Sequence, residues 1–328
     1  MQDGQELPDW RTQAAAQYTP AAKAMIAEQT FALQGSPLNA LGAYTQRRLA
    51  ASATFAVLTF PPSAWARFSY ANAYLIAWVY TLDEVLDTCL DLLTADDLRL
   101  LLRAELVGTP WSSLSLNRDP HAPLPGLSYA LADLVATLRP LRELLQAQGA
   151  TSVGLAMFDH YLLEMILPAM RREAEWRLGS LPPPAFSSYL DTAWISISGG
   201  LCASVVNALS PQPASDWAAC EEAVITMLHA TRLINDLATR GRDEGEGTPN
   251  AIRLLVPIVG SIPLAEAAVR GLIAGYADAL WQQCGPLAAW PSTPLDLLRY
   301  YTYYCWVITE AMYAGGDFTL EPRRAEDA

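Results

Sequence analysis

Hydrophobic residues in this chain recur three and four positions apart along almost its whole length, and the strict alternation of a half-buried strand is scarce. That period aligns apolar side chains on one face of an α-helix, so the sequence points to packed helices. The class expected is all-α, a single-domain bundle of about ten helices. At 328 residues, 52% of them hydrophobic, the chain can bury a large core, and disorder is excluded for most of it.

Proline and glycine set the boundaries. Residues 1–17 read as a flexible entry and 319–328 as a flexible tail, leaving 18–318 as the folded domain. Pro20 opens a helix towards residue 34, and Ser36-Pro37 starts another that stops at Pro61-Pro62. Residues 63–93 carry a long unbroken helical pattern, and the Pro-, Ser- and Gly-rich segment 107–126 reads as a loop at one end of the bundle. Helices are expected at 127–148, 154–178, 185–210 and 215–241, then near 250–260, 263–286 and 293–314. Gly199-Gly200 interrupts the 185–210 pattern at a cost of about 2 kcal/mol relative to alanines, which marks a kink or a close approach to the backbone.

A formal charge of −13 with no basic stripe excludes a nucleic-acid partner. Five cysteines without CxxC spacing, an odd count, point to reduced thiols in a cytoplasmic protein. Three histidines far apart in sequence argue against zinc. The start MQDGQELPDW lacks the basic and apolar runs of a signal peptide, and no uninterrupted apolar run reaches membrane-spanning length.

Chemistry concentrates in residues 229–252. Asn235, Thr239 and Asp243 recur every fourth residue, so on a helix they share a stripe about 80° wide. An amide oxygen, a hydroxyl and a carboxylate on one face are a hard-oxygen set suited to Mg²⁺, with phosphate oxygens to complete the shell. Arg232 and Arg242 lie within about 60° of that stripe and could grip phosphate, whereas Glu244 falls about 180° away. The same spacing also describes a solvated helix face.

A second acidic cluster, Asp83, Glu84 and Asp87, lies on the 63–93 pattern. Asp83 and Asp87 share a face and repel one another unless a cation joins them, although a solvated acidic patch has the same signature. Ile76, Val79 and Tyr80 lie on the face of Asp83, which sets acid at the rim of an apolar, partly aromatic surface.

These two clusters carry a resemblance. Asp-Glu-x-x-Asp, then Asn-Asp-x-x-Thr-x-x-Arg-Asp about 150 residues later, resemble the aspartate-rich motif and metal-binding triad of the class I terpene synthases. RLINDLATRGRDEGEGTPNAI is similar to that family's triad run over its whole length, EAEWRLGSLPPPAFSSYLDTAWISISGG to its kinked helix, and MYAGGDFT to its Tyr-x-x-x-Asp element. The triad usually ends in Glu, and Asp243 is one methylene shorter. Ala193 stands where many bacterial sesquiterpene synthases have a diphosphate-sensing Arg after Tyr189, and the run through Ser196 resembles bacterial kaurene-synthase-like, labdane-related diterpene synthases.

The resemblance implies the class I isoprenoid synthase fold and Mg²⁺-dependent ionisation of a C20 prenyl diphosphate, a copalyl-type bicycle being favoured over linear geranylgeranyl or farnesyl diphosphate. It implies three Mg²⁺ ions held by Asp83, Glu84, Asp87, Asn235, Thr239 and Asp243, with Arg232, Arg242, Arg47, Arg48 and Tyr313 at the diphosphate. Tyr80, Tyr189, Trp194, Tyr304, Trp306 and Tyr313 become candidates to flank a carbocation, with Ala193, Ser196, Gly199 and Gly200 beside it. With no Asp-x-Asp-Asp motif, a separate class II cyclase would supply a bicyclic substrate. A homodimer is compatible with the resemblance, and a catalytically inactive helical scaffold is the competing class.

Overall fold

The computed structural model describes residues 9–41, 45–88, 92–284 and 291–314, with the side chains of 45–47, 87–88 and 92–95 outside that description. Among the described residues there is no strand, only an isolated bridge between Pro123 and Ala130. In chain order the α-helices are α1 (Trp10–Gln17), α2 (Pro20–Gln34), α3 (Thr45–Leu58), α4 (Tyr70–Thr88) and α5 (Leu92–Val107). Then come α6 (Leu131–Ala136), α7 (Leu138–Ala147), α8 (Ser152–His160), α9 (Leu167–Arg177) and α10 (Phe186–Ser196). Last are α11 (Gly199–Ala208), α12 (Pro213–Glu246), α13 (Ala251–Val259), α14 (Ile262–Cys284) and α15 (Pro294–Ala314).

The all-α expectation holds, and the differences from the expected elements have local causes. Trp10–Gln17, expected as flexible entry, is helical and docked, with Gln13 and Gln17 donating to the hydroxyls of Tyr303 and Tyr300 on α15, each at 3.0 Å. The tail 319–328 lies outside the described residues. The 63–93 pattern begins as a 3₁₀ turn and a π turn, Trp65–Ser69, before α4 starts. The 154–178 pattern becomes α8, a π turn (Tyr161–Ile166) and α9. Pro168 has no N–H for the carbonyl four residues back, which is that of Glu164 inside the π turn, so the wider turn absorbs the missing bond. The stretch Ser152–Arg177 is long and apolar enough to cross a membrane, and 56% of its apolar window is buried, as in a core helix.

Two helices carry the architecture. Helix α4 sits in the core, where Trp78 is fully buried and donates to Leu134 O at 3.2 Å while Tyr74 donates to Thr137 O at 2.7 Å. Those bonds tie α4 to the α6–α7 junction, so its opposite face can turn towards α11 and α12. Helix α12, 34 residues and about 51 Å long, packs against α14, α15 and α10. It opens on Pro213 with Asp216 in its first turn, and Gly247 ends it in the left-handed region at φ 74°. The helix therefore runs five residues beyond the expected end at 241 and carries Asp243 on its last turn.

The 185–210 pattern breaks into α10 and α11 at Ile197–Ser198. The residue in the left-handed region is Ser198 (φ 64°), not either glycine. The glycines serve close packing instead. A Cβ at Gly199 would lie 2.7 Å from Leu228 Cδ2, and one at Gly200 would overlap the phenol end of Tyr161. Gly200→Ala is therefore expected to lower stability by about 1–3 kcal/mol. A reduced urea midpoint would check it, and Tyr161→Phe in the same chain should recover part of the loss.

Candidate active site

Between α4, α9, the α10–α11 break and the end of α12 lies a cleft of about 990 Å³ including its open mouth. Asp83 lines it from α4, facing Asn235 and Asp243 from α12. The two acidic motifs, far apart in sequence, thus meet across one opening. Adjoining it, a second compartment of about 620 Å³, its open side included, is lined by Phe55, Ile76, Gly199, Cys202, Thr309 and Met312. The compartments share Val79, Tyr80, Ile197, Ser198 and Tyr313 as walls. One compartment is lined by charged groups and the other mainly by apolar ones.

The α12 stripe is tightly built. Thr239 Oγ1 has one hydrogen to donate, with Asp243 Oδ2 at 2.7 Å and Asn235 O at 2.9 Å as its acceptors, while Asn235 Nδ2 donates to Tyr313 Oη at 2.5 Å. Asp243 is buried and Glu244 exposed, as the helical angle required. Arg232, only 9% exposed at its side chain, is held by Glu173 at 3.1 Å and Asp236 at 3.0 Å. It donates to Tyr189 Oη from Nε and Nη2 at 2.9 and 2.6 Å, and from Nη1 to Ser196 Oγ at 3.4 Å. Tyr189 Oη in turn donates to Asp236 at 2.7 Å.

Electrostatics follow from burial. Desolvation works against the Arg232 charge, but Glu173, Tyr189 and Asp236 outweigh it and hold the guanidinium protonated well above its ordinary range. Burial raises Asp236 to about 6, opposed by Arg232 and the Ala251 N–H. Burial also pushes the Tyr80 and Tyr313 phenols up, so both are neutral walls.

Several expected site residues lie elsewhere. Glu84 turns one residue's rotation away from Asp83 and pairs with Arg48 at 3.6 Å. Arg48 also donates to Tyr80 O at 2.6 Å, so it braces α4 and does not line the cleft. Tyr189 and Ala193 are buried behind the wall, and Gly200 packs on Tyr161. Trp194 faces the ring of His229, at 5.6 Å. Tyr304 stacks on Tyr300 at 4.3 Å, about 180° around α15 from Tyr313. Trp306 is buried against Tyr303. The side chains of Asp87 and Arg47 lie outside the described residues. Arg242 lines the mouth beside Asp243 at 3.5 Å.

The sequence reading missed the wall supplied by α9. Met170, Glu173, Ala174 and Arg177 line the cleft at spacings of three, four and seven, a helical stripe visible in the sequence once α9 has a partner. Ile197 and Ser198 were also passed over in favour of the glycines that follow them.

The donor set fits a hard divalent cation. Among the described lining residues, the carboxylates Asp83, Glu173, Asp243 and Glu246 face the guanidiniums of Arg177, Arg232 and Arg242, so the mouth is net negative before any ligand enters. Carboxylate, amide and hydroxyl oxygens supply what such an ion takes, although no group of three or more His, Cys, Asp or Glu clusters there among the described residues.

With that geometry established, comparison places the chain. A model of terpene synthase family 2, C-terminal metal binding, matches residues 74–270, more than half of the sequence, and the protein belongs to this family. Among solved structures it is similar to linalool/nerolidol synthase from Streptomyces clavuligerus in complex with 2-fluorogeranyl diphosphate. That similarity has a TM-score of 0.63 at 15% identity, covering 89% of this chain and 97% of the other. It is also similar to isoprene synthase from grey poplar leaves (Populus x canescens), solved with three Mg²⁺ ions and dimethylallyl-S-thiolodiphosphate. There the TM-score is 0.65 at 17% identity, covering 97% of this chain and 57% of that one. The fold is the all-α class I isoprenoid synthase fold. No curated protein sequence matches the chain.

The Tyr189 hydroxyl stands between two buried charges. Tyr189→Phe is expected to cost about 1–3 kcal/mol, because it leaves Asp236 and Arg232 each short of a partner. Chemical denaturation should show a lower midpoint with an unchanged slope.

Proposed function

We propose that this protein is a class I diterpene synthase. It would ionise a C20 prenyl diphosphate, preferentially a copalyl-type bicycle, and cyclise or rearrange the carbocation to a diterpene hydrocarbon or alcohol. The observation that carries the reading is that Asp83, Asn235 and Asp243 line one charged cleft that adjoins an apolar compartment. The C20 preference rests on Ala193 and Ser196 in the run after Tyr189, where a sensing Arg is absent.

Asp83 and Asp87 from α4, and Asn235, Thr239 and Asp243 from α12, would hold Mg²⁺, three ions when diphosphate is bound. When bound, Mg²⁺ supplies Lewis-acid neutralisation of the leaving diphosphate, so that the allylic C–O bond can break without protonation. Arg232 and Arg242 would add charge-assisted hydrogen bonds to the diphosphate oxygens. Tyr80 and Tyr313, neutral and shared by both compartments, offer ring faces to positive charge. Val79, Ile197 and Met312 give the adjoining compartment an apolar lining that would not bind water. The reading puts the enzyme in the cytoplasm, with a class II cyclase supplying its substrate.

A second reading, action on linear geranylgeranyl or farnesyl diphosphate, is favoured by the linear 2-fluorogeranyl diphosphate in the Streptomyces clavuligerus structure. Purified protein with Mg²⁺ and each diphosphate in turn, followed by mass spectrometry of extracted products, decides between the two. A C20 polycycle from the copalyl-type substrate alone is expected. Asp83→Asn and Asn235→Ala should each reduce turnover by at least about 100-fold, and chelation of Mg²⁺ should abolish it. Product from a linear substrate alone would move the assignment to the second reading, and Mg²⁺-independent turnover would sink both.

A further inference from the structure

We infer that Asn250 is a positioning residue for the shortened carboxylate of Asp243, and that its side-chain amide sets the Mg²⁺ affinity of the α12 stripe. The inference rests on the reading of Asp243 as a metal ligand. Asp243 is one methylene shorter than the Glu expected at its position, so its carboxylate cannot reach as far from the helix and must be aimed by its neighbours.

Two donors converge on a single oxygen. Thr239 Oγ1 and Asn250 Nδ2 lie 2.7 and 2.8 Å from Asp243 Oδ2. Oδ1 has the exposed Arg242 Nη2 beside it at 3.5 Å, and Asp243 is part of the cleft lining. The two donors therefore hold the carboxylate by one oxygen.

Asn250 is fully buried, and both atoms of its amide are in use. Nδ2 donates to Asp236 O at 2.8 Å as well as to Asp243, and Oδ1 accepts from Ile252 N at 3.0 Å as the N-cap of α13. A flipped amide would set its oxygen against two acceptors and leave the Ile252 N–H facing an NH₂ group, so the contacts fix the orientation. Two donors and one acceptor at this length are what a primary amide offers. A carboxylate there has no donor, and a hydroxyl has one. The last turn of α12 supports the same aim from the main chain, since Gly247 N and Thr248 N both donate to Asp243 O.

The test separates this role from ordinary helix capping. Asn250→Ser keeps a competent N-cap and removes the amide donors. Mg²⁺ is titrated into the full chain with inorganic diphosphate present, and binding is followed by calorimetry with no turnover involved. The expected result is a half-saturating Mg²⁺ concentration raised about tenfold or more over the unsubstituted chain. Thr151→Ala, which removes the N-cap bond to Gly154 N on the remote α8, should lower thermal stability and leave the Mg²⁺ midpoint where it was. If Asn250→Ser does not fold, Asn250→Thr carries the same expectation. An unchanged midpoint in a folded variant, with the unsubstituted chain binding normally, would overturn the positioning role alone. Absence of Mg²⁺-dependent diphosphate binding by the unsubstituted chain would overturn the metal-site reading and this inference together.

Discussion

The buried guanidinium of Arg232 is the interaction on which the site depends. A charge taken out of water costs several kcal/mol unless it is paired and hydrogen-bonded. Here the partners come from three helices: Glu173 on α9, Tyr189 and Ser196 on α10, and Asp236 on α12 itself. Those helices cannot separate without stranding the cation, so the ion network fixes the cleft walls and the apolar core fills in around them. Asp236 extends the network by accepting from Ala251 N at 2.9 Å, which docks the start of α13 under the same stripe.

The second constraint is the break between α10 and α11. A non-glycine residue at positive φ costs of order 1 kcal/mol or more and persists only where its surroundings hold it. Ser198 is held by its own hydroxyl, which donates to Ser196 O at 2.9 Å, and by its carbonyl, which accepts from Leu201 N and Cys202 N. The strain turns the chain so that Ile197 and Ser198 line both compartments. Gly199 and Gly200 then let α11 press against Leu228 and Tyr161.

What could be read in the sequence was periodic. Asn235 and Asp243 line the cleft, Thr239 between them is hydrogen-bonded to Asp243 and is not on the lining, and Ile76, Val79, Tyr80 and Asp83 line the two compartments as the 3.6-residue turn requires. What was not legible was the partner of each face. Nothing in the spacing of Tyr304 or Trp194 distinguishes a cavity wall from a ring packed on Tyr300 or facing His229. The sign of each Arg was equally hidden. Arg48 lies far in sequence from any acidic residue and Arg232 only four residues from Asp236, yet both end paired with carboxylates, one bracing Glu84 from outside the cleft and the other buried in its wall. The left-handed residue fell on Ser198, where composition favours the adjacent glycines, because helix-to-helix contact required the small residues one step later.

The charge at the mouth explains why the chain needs an ion for the chemistry proposed. A diphosphate approaching Asp83, Glu173, Asp243 and Glu246 meets more carboxylate than guanidinium, and one of the cations present, Arg232, is already engaged by two carboxylates. In a partly desolvated cleft, like charges a few ångströms apart repel by several kcal/mol. Without added cations the mouth would expel the ligand. Divalent ions held by carboxylates of α4 and α12 would offset that charge, with the anion supplying further oxygens. The acidic lining that would repel a bare diphosphate would thereby accept a metal-bound one.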